Sequence, residues 1–230
     1  MSAFPPRYLS LPEEFVLLSH LDSGRVHDSA QTAVGCAAAE LGELALRRKL
    51  LVLARKSRKF GFEVYRLQGE IQLLDTGRTG LVWADELLAE PAFRSASENK
   101  PIALSRWLRQ RGREAFSLHR DALTDRGVLR YKPGGFLGRE RHYPDLAVRN
   151  ALINEVRAAH GGQSPLSEQM LFLCDLVEGA ELTKDLGLKS SWRQRLERAR
   201  GVGAVESLPE DLRDTSTALG FSVPTRHDGG

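Results

Sequence analysis

The pattern of apolar and polar positions is most distinctive between Asp28 and Leu50. Asp28 or Ser29 is suited to cap a helix, and Gln31 stands three residues after Asp28, as in a capping box. The residues that follow are mostly apolar and strongly helix-forming. The larger ones recur at the spacing of one helical face: Val34, Ala37, Ala38, Leu41, Leu44 and Ala45. Since few polar side chains interrupt them, we expect a central helix surrounded by others.

The rest of the pattern predicts a mainly α fold with little β structure. Apolar residues at helical spacing also follow Ser10 and Ser164, and they recur over residues 81–88, 104–110, 114–125, 146–159 and 190–200. Strand-like composition at 51–54, 62–67 and 70–74 predicts a small antiparallel β-meander with a turn at Gln68 and Gly69. The polar stretch 91–100 is interpreted as a linker. We expect a single globular domain over residues 1–224 and a flexible tail over 225–230.

A second distinctive stretch runs from Arg113 to His142. Its helical first part leads through Arg126 and Gly127 into a strand-like segment, a turn at 132–135 and a further strand-like segment. Because the turn joins the two segments directly, we expect a β-hairpin. The order of helix, short strand and hairpin is also the order found in a winged helix.

The chemistry of this hairpin leaves several interpretations open. Its tip carries Phe136 and Leu137, and its arms carry four basic residues: Arg130, Lys132, Arg139 and Arg141. An exposed hairpin kept in solution by charge explains the pattern as well as a binding role does. Shallow membrane insertion also needs an apolar tip with basic flanks, since each basic side chain contributes about 1 kcal/mol with anionic headgroups.

Composition narrows the class of protein. The chain has 230 residues, 41% hydrophobic and 27% charged, which is typical of a globular protein with a sizeable core. No apolar run is long enough for a membrane span and the first residues lack a signal-peptide pattern, so we expect a cytoplasmic protein. Cys36 and Cys174 lie in separate apolar patterns and are expected to be buried free thiols. The net charge of +3 is mild, but clustered basic residues suit phosphate on lipids or nucleic acid.

Catalytic signatures are absent from the sequence. It has no Gly-Lys-Ser/Thr phosphate loop, no Gly-x-Gly-x-x-Gly turn and no histidine or cysteine spacing that would bind zinc. Ser117, His119 and Asp121 are close in the chain, but alternate residues of a helix face different directions, which argues against a triad. We therefore expect a protein that is not an enzyme and that needs neither a cofactor nor a metal.

Several short motifs follow one another along the chain. They occupy residues 11–18, 21–26, 39–47, 75–80 with 85–87, 107–108 and 126–129. In their order and spacing, over roughly residues 9 to 200, the chain resembles the Golgi phosphoprotein 3 family, including its bacterial relatives. Each motif alone is weak, and the specificity lies in their collinearity. The resemblance implies a mostly helical single domain with a central apolar helix and a projecting hairpin.

The resemblance also implies a function. Eukaryotic members of that family are peripheral membrane proteins that bind phosphatidylinositol 4-phosphate and hold glycosyltransferases in the Golgi by their cytosolic tails, without enzymatic activity. The family's headgroup ligands are a tryptophan and three arginines, and by position they fall on Asp28, Ala37, Arg113 and Phe116. Only Arg113 is matched. Arg120 or Arg47 would substitute for a missing arginine, and the more basic hairpin favours anionic lipid in general.

The sequence thus predicts a non-enzymatic peripheral membrane or adaptor protein on the cytoplasmic face of a membrane. Its expected partners are an anionic phospholipid or phosphoinositide surface, a client membrane protein and a second copy of the chain. Phe136 and Leu137 are expected to insert, while seven basic residues contact headgroups: Arg47, Arg113, Arg120, Arg130, Lys132, Arg139 and Arg141. Two alternatives stay open: a winged-helix-like nucleic-acid-binding protein that uses the hairpin as its wing, and a soluble protein-interaction scaffold.

Overall fold

A computed structural model of the chain describes residues 9–59, 62–96, 102–134, 139–160, 166–188 and 203–223. The helices are α1 (Leu11–Ser19), α2 (Ser29–Leu46), α3 (Val82–Leu88), α4 (Pro91–Ala96), α5 (Leu104–Asp125), α6 (Leu146–His160), α7 (Glu168–Gly179) and α8 (Glu210–Ser222). The strands are β1 (Leu50–Lys59), β2 (Phe62–Leu73), β3 (Ile102–Ala103), β4 (Leu129–Lys132) and β5 (Arg141–Pro144). The predicted mainly α, single-domain fold is confirmed.

The central position of α2, which the sequence predicts, is confirmed. This helix packs against α1, α5, α7 and α8. Glycines allow the close approach, because a Cβ atom at Gly35 would lie 2.3 Å from the Phe15 ring and one at Gly42 would lie 2.7 Å from Leu11. The apolar side chains of α2 with no exposed surface are Cys36, Ala37, Ala38, Ala39, Leu41, Leu44 and Ala45. This packing offsets the roughly 0.5–1 kcal/mol that a glycine costs inside a helix.

The predicted small antiparallel sheet is present, but its strand limits differ. β1 and β2 form one long hairpin, and the third strand is the distant β3, which pairs with the end of β2. The turn predicted at Gln68 and Gly69 is wrong. The register shifts between Ala54 and Arg55, so Leu67 and Gln68 form an irregularity within a continuous strand. A local sequence pattern with glycine suits a bulge as well as a turn.

Two predictions about the helices are also wrong, and packing explains both. The first half of the predicted linker 91–100 forms α4, and its Phe93 is fully buried edge-to-face against Trp107, with ring centroids 5.7 Å apart. The predicted helices 104–110 and 114–125 form one helix, α5. The helix continues through Gly112. A Cβ atom at this position would lie 3.0 Å from the Ala33 backbone, which leaves little room for a side chain. The glycine therefore serves the close crossing of α5 with α2.

The sequence pattern did not predict α8, which packs along α7 at a crossing of small residues. A Cβ atom at Gly179 would lie 2.1 Å from the Gly220 carbonyl oxygen, and one at Gly220 would lie 2.7 Å from the Asp175 carbonyl oxygen. Ser216 Oγ donates to Asp175 Oδ2 at 2.7 Å. The two helix backbones therefore approach as closely as their atoms allow.

Some predictions fall outside the described residues. These are the helix at 190–200, the tail at 225–230 and the hairpin tip with Phe136 and Leu137. Across the ranges that are described, none of the helices combines the length and the apolarity required to cross a membrane.

Candidate functional site

The basic hairpin consists of β4 and β5, and their register decides which side chains share a face. Arg130 pairs with Tyr143 and Lys132 pairs with Arg141. Because side chains alternate along a strand, all four lie on one face. The Arg130 guanidinium lies 5.8 Å from the centroid of the Tyr143 ring. Lys132 and Arg141 are like charges directly opposite each other, an unfavourable arrangement that a bound anion would relieve.

The loop between α1 and α2 holds this hairpin at one end and the chain after α7 at the other. The Gly24 carbonyl accepts a hydrogen bond from the His142 backbone N–H at 3.2 Å, and His27 Nδ1 donates to Asp185 Oδ2 at 2.5 Å. Gly24 has φ +72°, and a Cβ atom there would lie 3.1 Å from both Arg141 and Tyr143. Glycine is therefore required where the loop touches the hairpin.

A cleft of about 940 Å³ lies between this loop, α5, residues 139–142 of the hairpin and residues 181–185. Among the described residues, its basic lining consists of Arg25, Arg120, Arg139, Arg141 and Lys184. Its acidic lining consists of Asp28, Glu140, Glu181 and Asp185. The cleft is therefore strongly polar and of mixed charge.

The start of α2 in this cleft is already occupied by a carboxylate. Asp28 caps the helix, as predicted, and its Oδ1 accepts from the backbone N–H groups of Ala30 and Gln31 at 3.0 and 3.1 Å. Those N–H groups are the ones that would otherwise attract an anion to a helix N-terminus. A phosphate group is therefore favoured nearer to the hairpin than to α2.

Aromatic side chains lie beneath the α5 side of the cleft. His20 stacks on Phe116 with centroids 5.9 Å apart and meets His142 edge-on at 6.1 Å. Burial lowers the pKa of His20 to about 4, although its Nδ1 donates to the Val16 carbonyl at 2.7 Å. Burial also lowers the pKa of His142, and the nearby Arg120 acts in the same direction. Both imidazoles therefore favour the neutral form.

The predicted basic residues are distributed between the cleft and its surroundings. Arg120, Arg139 and Arg141 line it, and Arg130 lines an adjacent recess with Tyr143. The Arg120 side chain is oriented by Asp121, whose Oδ1 it contacts at 2.9 and 3.0 Å. Exposed Arg113 lies seven residues earlier on α5, roughly 10 Å along the helix axis.

Arg47 does not lie with the other predicted residues. It follows the end of α2, whereas the cleft contacts the beginning of this 18-residue helix, so the two are roughly 27 Å apart. Its Nε donates to Glu43 Oε1 at 2.8 Å and its Nη1 donates to the Thr79 carbonyl at 2.7 Å. These contacts join α2 to the loop before α3.

Sequence reasoning missed the part of the cleft that follows α7. Glu181, Lys184 and Asp185 are more than 35 residues from the hairpin, and no local pattern links the two segments. One signal in the structure is the backbone of Glu181, whose φ of +56° is usual for glycine after a helix. This conformation marks the place where the chain turns after α7.

Other reactive groups are buried or dispersed. Cys36 and Cys174 are buried and form no disulfide, as predicted, and burial raises the pKa of Cys36. Within the part of the chain that the structure describes, no three histidine, cysteine or acidic side chains are grouped to hold a metal ion.

Compared with protein-family models, the chain matches the family described as Golgi phosphoprotein 3 (GPP34) over residues 11–219. No curated protein is significantly similar to the chain. The matched segment runs from the first residue of α1 into α8 and includes the hairpin and the cleft. It covers more than nine-tenths of the 230 residues. The chain therefore belongs to the Golgi phosphoprotein 3 family.

Proposed function

We propose that this protein is a non-enzymatic peripheral membrane adaptor that binds anionic phospholipid at the cleft between α5, the hairpin and the α1–α2 loop. The observation that carries the proposal is the convergence of Arg120, Arg139 and Arg141 on one cleft. Lys132 faces Arg141 across the hairpin and adds to the positive potential there. Membership of the Golgi phosphoprotein 3 family is consistent with an adaptor role.

The proposed orientation places the hairpin against the cytoplasmic face of a membrane. Phe136 and Leu137 then enter the interfacial region, while the basic residues of the arms contact headgroups at about 1 kcal/mol each. An adaptor in this position also holds a client membrane protein, and pairing with a second copy would strengthen membrane attachment by avidity.

The proposal concerns anionic lipid in general rather than phosphatidylinositol 4-phosphate alone. Asp28 stands where the family resemblance places a tryptophan, and its carboxylate repels phosphate. Phe116 stands at an arginine position, and its ring is stacked against His20. Two of the four headgroup positions therefore have a different structural role in this chain.

Vesicle co-sedimentation tests the proposal. Neutral phosphatidylcholine vesicles are compared with vesicles that also carry phosphatidylinositol, its 4-phosphate or phosphatidylglycerol, at low and moderate salt. We expect binding to every anionic vesicle, weaker at higher salt because exposed charges are screened. Binding should be lost in the double variant Arg139→Glu/Arg141→Glu and kept in Arg47→Glu, whose charge lies at the far end of α2.

Three outcomes would contradict this proposal. Binding to no vesicle would contradict the membrane role. Binding only to phosphatidylinositol 4-phosphate would contradict the recognition of anionic lipid in general. Equal binding by the double variant and the wild type would contradict the assignment of the site to Arg139 and Arg141. Duplex DNA in the same assay tests the nucleic-acid alternative, which predicts affinity that falls steeply with salt. Indifference to vesicles and DNA would favour the scaffold alternative.

A further inference from the structure

Charge is unevenly distributed along the cleft. Arg120, Arg139 and Arg141 outnumber one acid, Glu140, on the side of α5 and the hairpin, whereas Glu181 and Asp185 lie on the side that follows α7. Lys184 partly offsets these two acids. Residues on the α5 side thus favour an anion, and the side after α7 offers carboxylates to a cation.

The α1–α2 loop sets the separation of the two sides. It is bonded to the hairpin through Gly24 and to Asp185 through His27. Three residues of chain span at most about 10 Å, and residues from both sides line the same cleft. The two charged sides are therefore close enough for one small ligand to contact both.

The two carboxylates differ in what they already bind. Asp185 Oδ2 accepts a hydrogen bond from His27, and both side chains of this pair are partly exposed. Among the described residues, no hydrogen bond or ion pair engages the Glu181 carboxylate. An anionic ligand without a cation would leave this charge facing phosphate, which is unfavourable at short distance.

We propose that the cleft selects a phosphate group that carries a primary ammonium a few bonds away, as in phosphoethanolamine and phosphoserine. This inference rests on the proposed function, because that function places the phosphate group at the arginines. The ammonium donates hydrogen bonds to Glu181 and Asp185, while the phosphate accepts from Arg120, Arg139 and Arg141. Phosphocholine lacks N–H donors, and the described lining has no Trp, Tyr or Phe to hold its quaternary ammonium.

Soluble headgroups test this proposal without a membrane. Isothermal titration of the full chain compares phosphoethanolamine and phosphoserine with phosphocholine and inorganic phosphate. We expect the two primary amines to bind about tenfold more tightly, the effect of one well-formed charge-assisted hydrogen bond. Equal affinities for phosphoethanolamine and inorganic phosphate would overturn the proposal.

Matched neutral variants locate the effect. Glu181→Gln should abolish the preference for the amines and leave the affinity for inorganic phosphate unchanged or higher. Glu140→Gln, which removes the same charge on the hairpin side, should keep the preference. Asp185→Asn provides a second variant on the acidic side. A preference that survives in the Glu181→Gln/Asp185→Asn double variant would overturn the assignment.

Vesicles separate a lipid headgroup from a free metabolite. Phosphatidylserine and phosphatidylglycerol are compared at equal charge density, and the preference predicts about tenfold tighter binding to phosphatidylserine. If both lipids bind equally, the inference fails and the proposed membrane function stands. If soluble phosphoethanolamine is selected but no vesicle binds, the membrane function fails and the cleft is a site for the free metabolite.

Discussion

Arg111 of α5 and Glu40 of α2 form a bidentate ion pair in the interior. Arg111 Nε donates to Glu40 Oε2 at 2.8 Å, and its Nη2 donates to Oε1 at 3.1 Å. Glu40 has no exposed surface, and His119 Nε2 lies 3.1 Å from the same Oε1. The pair therefore fixes how α5 is placed along α2. Arg120 also lies on α5, so the same pair helps to position Arg120 at the cleft.

Arg111→Met should reduce the free energy of unfolding by about 3–5 kcal/mol, because it leaves Glu40 buried without its main partner. Urea unfolding at neutral pH measures the change. The double variant Arg111→Met/Glu40→Gln should recover part of the loss. Glu114→Gln, which removes the most exposed of the acidic partners of Arg111, at 2.9 Å, should change stability by less than about 0.5 kcal/mol. A single Arg111 variant as stable as the wild type would contradict the role of the pair.

Lys132→Glu should have opposite effects on stability and on membrane binding. It converts the like-charge pair with Arg141 into an opposite-charge pair, worth about 0.2–1 kcal/mol of added stability. The same change removes a positive charge from the proposed lipid-binding face, so co-sedimentation with anionic vesicles should weaken. Lys132→Gln should give intermediate values in both measurements. Greater stability with undiminished binding would show that Lys132 does not contact lipid.

Gly220→Ala should destabilise the protein by about 1–3 kcal/mol, the usual effect of overpacking. The added methyl group would lie 2.7 Å from the Asp175 carbonyl oxygen, and a backbone atom cannot move aside as a side chain can. The change in the free energy of unfolding, measured with urea, should have the opposite sign to that of the same substitution at an exposed helical site, which stabilises by about 0.5–1 kcal/mol. A more stable variant would mean that α7 and α8 are less closely packed than described.

Stability should fall between pH 6.5 and pH 4 through His20. Its pKa is about 4 in the folded protein and 6.5 without burial, so in this range the unfolded chain binds a proton that the folded protein does not. Above pH 6.5 both states are neutral at this residue, and below pH 4 both are protonated. The loss amounts to about 3 kcal/mol.

Urea unfolding at pH 7.5 and pH 5 checks this dependence. The wild type should lose more stability between these two pH values than His20→Asn, which retains an N–H donor for the Val16 carbonyl. Identical losses in the two proteins would mean that another group causes the pH dependence.

The parts of the fold that the sequence predicts correctly depend on local chemistry. The Asp28 cap and the apolar face of α2 follow from consecutive residues, and so do the basic arms of the hairpin. The partner of Glu40 could not be predicted in this way, because Arg111 is 71 residues away. The acidic side of the cleft was not predicted for the same reason, since the contact that brings it to the loop joins His27 to Asp185, 158 residues later.

The failure to predict α8 has a different physical cause. Its buried face includes Thr215, Ser216 and Thr217, so its apolar period is weak. Hydrogen bonds compensate for this burial: Thr215 Oγ1 accepts from the Val52 backbone N–H at 3.1 Å, and Ser216 donates to Asp175. Polar residues with partners elsewhere in the chain do not produce a hydrophobic pattern.

The central position of α2 also affects how the protein is made. This helix leaves the ribosome early, whereas α7 and α8, which cover part of it, come from residues 168–222. At about 5–20 residues per second, its apolar surface waits roughly 10–35 s for them. During translation the nascent chain therefore exposes this apolar helix, and we expect chaperones that shield α2 until the last helices emerge to raise the yield of folded protein.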